Sequence, residues 1–161
     1  MRERLRKAQS ETVPPLTHTL SRRVRFEEVD AMGIMWHGRY ASWLEDGREE
    51  IGRSFGIHYL DFLAHGILVP IKLFHLDFLL PLRYGLAYSL KTELLFSESA
   101  LLEFRYTFFD QNGACTTYAR TTQLMVEEKG SLLLSQPAFY QDFCTRWRNG
   151  TLERKRSTVP A

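Results

Sequence analysis

Cysteine is scarce in this chain of 161 residues: there are two, Cys115 and Cys144. Their spacing matches no metal or redox motif, which argues against a disulfide framework and for free thiols in a reducing compartment. An excess of charge of one sign is also missing. Lys and Arg number 21 against 19 Asp and Glu, a net charge of +2. No broad basic field is therefore available to hold nucleic acid. No run of about 18 apolar residues exists to span a bilayer. Met1 to Lys7 alternates charges and lacks the apolar stretch of a secretory signal. His58, His65 and His75 have no ligand spacing, so no metal site is expected. Internal repeats and low-complexity tracts are absent as well. What remains is the profile of a cytoplasmic globular protein without metal or redox cofactor.

The residues that are present suit one well-packed domain. The apolar fraction is 44%, and 11 Phe and 7 Tyr favour strands and an apolar pocket. Residues 1–16 are polar and end in Pro14-Pro15, which reads as a flexible arm. The main domain is placed at 17–136. A first strand is predicted over His18 to Phe26, with Leu20, Arg22, Val24 and Phe26 on one face. Tyr40, Trp43, Leu44, Gly47 and Ile51 then recur at helical spacing, and Gly56 is placed to end that helix. Gly47 falls on the apolar stripe, where a missing side chain permits close approach to a sheet. A short helical piece follows over His58 to His65.

Beyond this point the period changes to two. Leu68 to Leu79 reads as a buried strand, with Pro70 at its start or at a bulge. Further strands are predicted over Leu86 to Ser97, Ala100 to Phe109 and Ala114 to Glu127. Leu102, Phe104, Tyr106 and Phe108 share a face, and Asp110-Gln-Asn-Gly113 is a hairpin signal. Pro137 to Arg148 can form a helix with Phe139, Phe143 and Trp147 on one side. It opens a last segment, 137–161, that ends in the basic run Arg154-Lys-Arg156. Short turns between strands force antiparallel neighbours, and one long helix must cover a face of the sheet. The sheet edge then needs protection, most simply from a second copy of the chain. Residues 1–16 and 150–161 carry no periodic apolar face and are expected to be dispensable for folding.

The most informative stretch is Asp30-Ala-Met-Gly-Ile-Met-Trp-His37-Gly-Arg-Tyr40. An acid sits in a short apolar loop, and a histidine follows just before a helix. This layout puts a carboxylate beside the positive end of a helix, whose free N–H groups can stabilise developing negative charge. Acyl-transfer hydrolysis needs that pairing. From the residues alone, Asp30 is either a reacting carboxylate or a cap on the following turn.

Val24-Arg-Phe-Glu-Glu-Val-Asp30, His37, Tyr40, Glu45-Asp-Gly-Arg48, Leu76-Asp77-Phe78 and Pro81-Leu-Arg83 together resemble the 4-hydroxybenzoyl-CoA thioesterase family. That family includes the acyl-CoA thioesterases encoded near the Tol-Pal genes of bacteria. The likeness covers roughly residues 20–128. It departs at Val29, Met32 and Tyr84-Gly85, which bears on substrate more than on fold. The resemblance implies an α+β hotdog fold, with an antiparallel sheet of about five strands wrapped around one long central helix. It implies an acyl-CoA thioesterase that releases a fatty or aromatic acid and a free thiol without cofactor. Asp30 would be the base or the nucleophile, and His37 would supply a backbone N–H or its ring. Gly33, Met35, Trp36, Gly38, Tyr40 and Arg83 would contact substrate. Expected partners are acyl-CoA or acyl carrier protein, and a second copy in a homodimer or homotetramer. Two alternatives stay open, an acyl carrier protein thioesterase and a non-catalytic acyl-thioester-binding protein. A hotdog dehydratase fits the Asp30 loop less well.

Overall fold

A computed structural model of the chain describes residues 13–155. Strand β1 (Leu16–Arg23) leads through a 3-10 turn (Phe26–Glu28) and the Asp30 loop to a second 3-10 turn (His37–Arg39). Helix α1 (Tyr40–Phe55) follows directly, then α2 (Tyr59–Ala64). The remaining elements are β2 (Ile67–Leu68), β3 (Ile71–Phe78), β4 (Ala87–Leu95), β5 (Leu101–Phe109), β6 (Cys115–Leu124), β7 (Val126–Glu127) and α3 (Ala138–Arg148). Five strands form an antiparallel sheet in the order β1-β4-β5-β6-β3. β2 and β7 pair separately.

The apolar stripe of α1 lies on this sheet, as the spacing predicts. Tyr40, Trp43, Leu44, Gly47 and Ile51 are all buried. Gly47 is where helix and sheet come closest. A Cβ there would stand 2.1 Å from Thr92 Oγ1 and 3.2 Å from Thr92 Cβ. Gly56, with φ of 74°, ends the helix. On β5, Leu102, Phe104, Tyr106 and Phe108 all face the core. Their alternation with the outward Glu103, Arg105 and Thr107 is what sets the register against β4 and β6. α3 closes one end of the core through Tyr140, Phe143 and Trp147, with Trp147 edge-on to Phe96 at 5.1 Å.

Four expectations change. β1 begins and ends earlier than His18 to Phe26, and Phe26 is 78% exposed, edge-on to Tyr84. The chain has already left the sheet for the 3-10 turn at that point. The single buried strand expected over Leu68 to Leu79 is two strands separated at Val69-Pro70. Among the described residues β3 is an edge with β6 as its one neighbour, and Ile71, Phe74 and Phe78 are 43%, 42% and 50% exposed. Residues 114–127 are likewise divided, because the chain leaves β6 after Leu124 to pair Val126 and Glu127 with β2.

The fourth change concerns the chain ends. Val13 is buried, and the Pro14 carbonyl accepts a bond from Trp147 Nε1 at 2.9 Å. At the other end, Lys155 N–H donates to the Ser54 carbonyl at 2.7 Å, and Arg154 donates to the Thr17 carbonyl at 2.6 Å. The inner parts of both expected tails are therefore tied to the body. The rest of those tails, residues 1–12 and 156–161, lies outside the described residues.

Candidate active site

The Asp30 loop is a closed turn with a narrow neck. Trp36 N–H donates to the Glu28 carbonyl at 2.9 Å, and Val29 bridges Met35. Within the turn, Asp30 N–H donates to the Ile34 carbonyl, and Gly33 N–H donates to the Asp30 carbonyl, both at 3.0 Å. Gly33 has φ of 72°, a conformation that glycine adopts without strain. Met35 N–H donates to the Leu82 carbonyl at 2.7 Å, which pins the loop to the segment between β3 and β4.

Asp30 is half-buried. Its Oδ1 accepts the Met32 N–H at 2.8 Å, and Oδ2 takes no hydrogen bond among the described residues. The side chain thus caps its own turn with one oxygen and keeps the other unengaged. A cavity of about 370 Å³ is lined by Asp30, Met35, His37 and Tyr40 together with Phe78 to Pro81. Its wall is largely apolar. The Tyr40 hydroxyl is pushed up from its ordinary value by burial, with the nearby polar groups of Thr117 and Leu82 opposing. It stays a neutral phenol at physiological pH.

His37 opens the helical run that continues into α1, so its backbone N–H and that of Gly38 have no carbonyl within the helix to bond. Those groups and the helix dipole favour an anion at this end of the cavity. The His37 ring is exposed and leans on Trp36, with centroids 5.1 Å apart. It makes no bond to Asp30. Gly38 has a steric reason to be glycine: a Cβ would meet the Trp36 ring at 2.3 Å.

Of the residues singled out in the sequence, Asp30, Met35, His37 and Tyr40 come together on one wall. Gly33 and Trp36 lie outside the cavity lining, and Gly38, with no side chain to line it, follows His37 at the helix start. Arg83 lies in a separate groove with Tyr88, Asp110 and Asn112, where its backbone bridges Ile34. Met32 is 73% exposed at the cavity mouth. Glu45 and Arg48 pair at 2.6 Å, and Arg48 reaches on to the buried Tyr106 hydroxyl at 3.2 Å. The Cys144 thiol is pushed up to about 11 by burial, so it stays protonated and unreactive. No cluster of three metal-binding side chains occurs among the described residues.

Sequence reasoning passed over Glu28. This carboxylate is 3% exposed and accepts from Trp43 Nε1 at 2.9 Å, from Arg22 at 2.7 Å and from Arg25 N–H at 2.9 Å. A second acid two residues before Asp30 was the available signal. It carries no periodicity, so pattern reading does not reach it. Leu79, Leu80 and Pro81 were also missed as lining, because they follow β3 in a turn rather than in a repeating element.

Residues 24–143 match the Thioesterase-like superfamily. The chain belongs to that family. Among curated proteins, it is 37% identical over 62 residues to the Bacillus subtilis protein named "Putative acyl-CoA thioesterase YneP". That match covers 38% of this chain and 45% of the Bacillus protein, so the chain spans less than half of that relative's length. The fold is shared with a DHNA-CoA thioesterase from Staphylococcus aureus, at a TM-score of 0.74 and 20% identity over 83% of this chain and 91% of that one. A hypothetical protein from Aquifex aeolicus matches at a TM-score of 0.70 and 26% identity, over 79% of this chain and 98% of that one. The sheet wrapped on α1 is the hotdog arrangement of these neighbours.

Proposed function

We propose that the protein hydrolyses an acyl-CoA thioester to a carboxylic acid and free coenzyme A, with Asp30 as the reacting carboxylate. One observation carries this reading. Asp30 keeps an unengaged oxygen on the wall of an apolar cavity, beside the free N–H groups at the start of the α1 run. In one route, Asp30 takes a proton from water while the water oxygen bonds to the thioester carbon. In the other, Asp30 itself attacks and water cleaves the resulting anhydride. In both, the carbon–sulfur bond breaks and the thiolate leaves to be protonated. The N–H groups of His37 and Gly38 would hold the negative carbonyl oxygen between those events. No metal or redox group is needed for either route.

The narrower kinship is with the 4-hydroxybenzoyl-CoA thioesterases, on the residues from Val24 to Tyr40. The compartment proposed is the cytoplasm, in keeping with two free thiols. A homodimer joined through β3 fits the exposed apolar edge. Antiparallel pairing of two β3 strands sets the C-terminal end of one beside the N-terminal end of the other. The Asp30 cavity borders Phe78 at the first end. A second cavity of about 330 Å³, lined by Glu45, Arg48, Val69 and Ile71, borders the other. Pairing would join the two into a tunnel for the acyl chain.

Asp30→Asn tests the assignment. The Asn carbonyl can still accept the Met32 N–H, so the turn survives and only the charge is lost. Hydrolysis should fall on the order of 10²–10⁴-fold with the melting temperature nearly unchanged. A merely capping Asp30 predicts an unchanged rate. Thiol release from benzoyl-CoA, decanoyl-CoA and acyl carrier protein thioesters, measured on both proteins, separates these outcomes. Acyl-CoA binding without turnover in the wild type would leave a binding protein as the better account.

A further inference from the structure

We infer that Glu28 is the positioning residue of the Asp30 loop, holding the loop neck to the first turns of α1. The inference rests on the reading of Asp30 given above. Glu28 stands where the loop departs, two residues before Asp30. Its carbonyl receives the Trp36 N–H where the loop returns, one residue before His37. The backbone of this one residue therefore closes the loop, while its side chain anchors it.

The anchor is a carboxylate with every donor accounted for. Oε1 accepts from Trp43 Nε1 and from Arg22, and Oε2 accepts from the Arg25 N–H. Trp43 is a fully buried residue of α1. Arg22 comes from β1, lies 4.5 Å over the Trp43 ring and also reaches Asp46 of α1 at 2.5 Å. Three elements thus meet on two oxygens: β1, the loop neck and the helix whose start presents the N–H groups of the site. Asp30 lies inside the loop, and those N–H groups lie just beyond its neck, at the helix start. Their relative placement depends on how the neck is held to the helix. A buried charge is costly to desolvate, and here it is matched by one cation and three hydrogen bonds. An apolar pair would bond the core as well but would not fix orientation.

Glutamine has the shape of glutamate but only one acceptor oxygen. In Glu28→Gln, the amide NH₂ must face either the Arg25 N–H or the Arg22–Trp43 pair, and donor then meets donor. The neck should shift by a fraction of an ångström. The experiment measures steady-state thiol release from benzoyl-CoA and decanoyl-CoA by wild type and Glu28→Gln, with melting curves on both. The expected result is a fall in kcat of roughly 10²-fold with KM within about twofold and a cooperative melt retained. A kcat within about threefold of wild type overturns the inference, as does a raised KM at full kcat. Should Glu28→Gln lose its cooperative melt, Arg22→Gln, at a partly buried position, carries the test, with an expected drop in kcat of about tenfold at unchanged KM. Full kcat in that variant overturns the inference. The wild-type arm separates the two levels. A folded wild type that hydrolyses neither substrate overturns the thioesterase reading itself, and an active one leaves Glu28 alone under test.

Discussion

Gly47→Ala adds one methyl group at the tightest point between α1 and the sheet, and its cost can be worked from the contacts. The new Cβ would lie 2.1 Å from Thr92 Oγ1, far inside van der Waals contact. Rotating the Thr92 side chain does not fully clear it, since χ1 rotation leaves Thr92 Cβ in place at 3.2 Å and β-branching makes other rotamers costly. Thr92 is fully buried, and Leu90 Cδ2 at 3.4 Å blocks sideways relief. The helix must therefore lift from β4. Overpacking of this kind costs about 1–3 kcal/mol. A contact this short takes the upper part of that range, about 2–3 kcal/mol, and alanine in place of a mid-helix glycine returns about 1 kcal/mol of helix propensity, so the net loss is about 1–2 kcal/mol. For a chain of this size that corresponds to a drop of roughly 2–8 °C in melting temperature. The Thr92 hydroxyl is buried without a hydrogen-bond partner among the described residues, so Thr92→Ala removes the 2.1 Å clash at little cost of its own and leaves only the milder Cβ contact at 3.2 Å. Combining Thr92→Ala with Gly47→Ala should recover most of the loss. Calorimetry on the two single variants and the double variant gives the coupling energy. A Gly47→Ala protein that melts at or above the wild-type temperature refutes the packing argument, and so does a double variant in which the two effects simply add.

Three further outcomes follow from other parts of the fold. Asp30→Asn should cut turnover on the order of 10²–10⁴-fold and spare the melt, as thiol release and calorimetry will show. Deleting residues 151–161 removes the Lys155 bond to Ser54, the Arg154 bond to Thr17 and the Arg154 stack on Phe55, so stability should fall by about 2 kcal/mol; an unchanged melting temperature would return this segment to the status of a loose tail. Phe74→Lys places a charge in the middle of the exposed edge strand, and sedimentation at micromolar concentration should then report monomer, against the dimer proposed for the wild type.

The parts of the fold legible in the sequence are those with a sustained period. The stripe from Tyr40 to Ile51 and the alternation from Leu102 to Phe108 both name core faces that the structure buries, because each repeat is long enough to fix one orientation. Asp110 to Gly113 closes the β5–β6 turn, with Asp110 Oδ1 accepting the N–H groups of Asn112 and Ala114. The breaks were harder. β3 reads as buried because its composition is that of a core strand, yet burial depends on neighbours, and sequence order does not say which strand lies at an edge. The tails show the same limit from the other side. Arg154 and Lys155 have no apolar period, and their hold on the body runs through backbone carbonyls of β1 and α1 that no side-chain pattern records.

The candidate site divides along similar lines. Asp30, Met35, His37 and Tyr40 could be grouped because they fall in one short segment, and the turn that joins them needs only local bonds. The opposite wall, from Phe78 to Pro81, comes from a distant part of the chain. It is brought there by β3 pairing with β6 and by Leu79 and Leu80 N–H donating to the Thr116 carbonyl. That wall is also the end of the exposed edge strand. The surface that would receive a second chain and the surface that would receive the acyl group are therefore continuous. In a molecule built this way, edge pairing would protect the strand and lengthen the cavity in one step. A charged residue at Phe74 should then reduce hydrolysis of decanoyl-CoA more than of benzoyl-CoA, since the longer chain makes greater use of the partner's half of the tunnel.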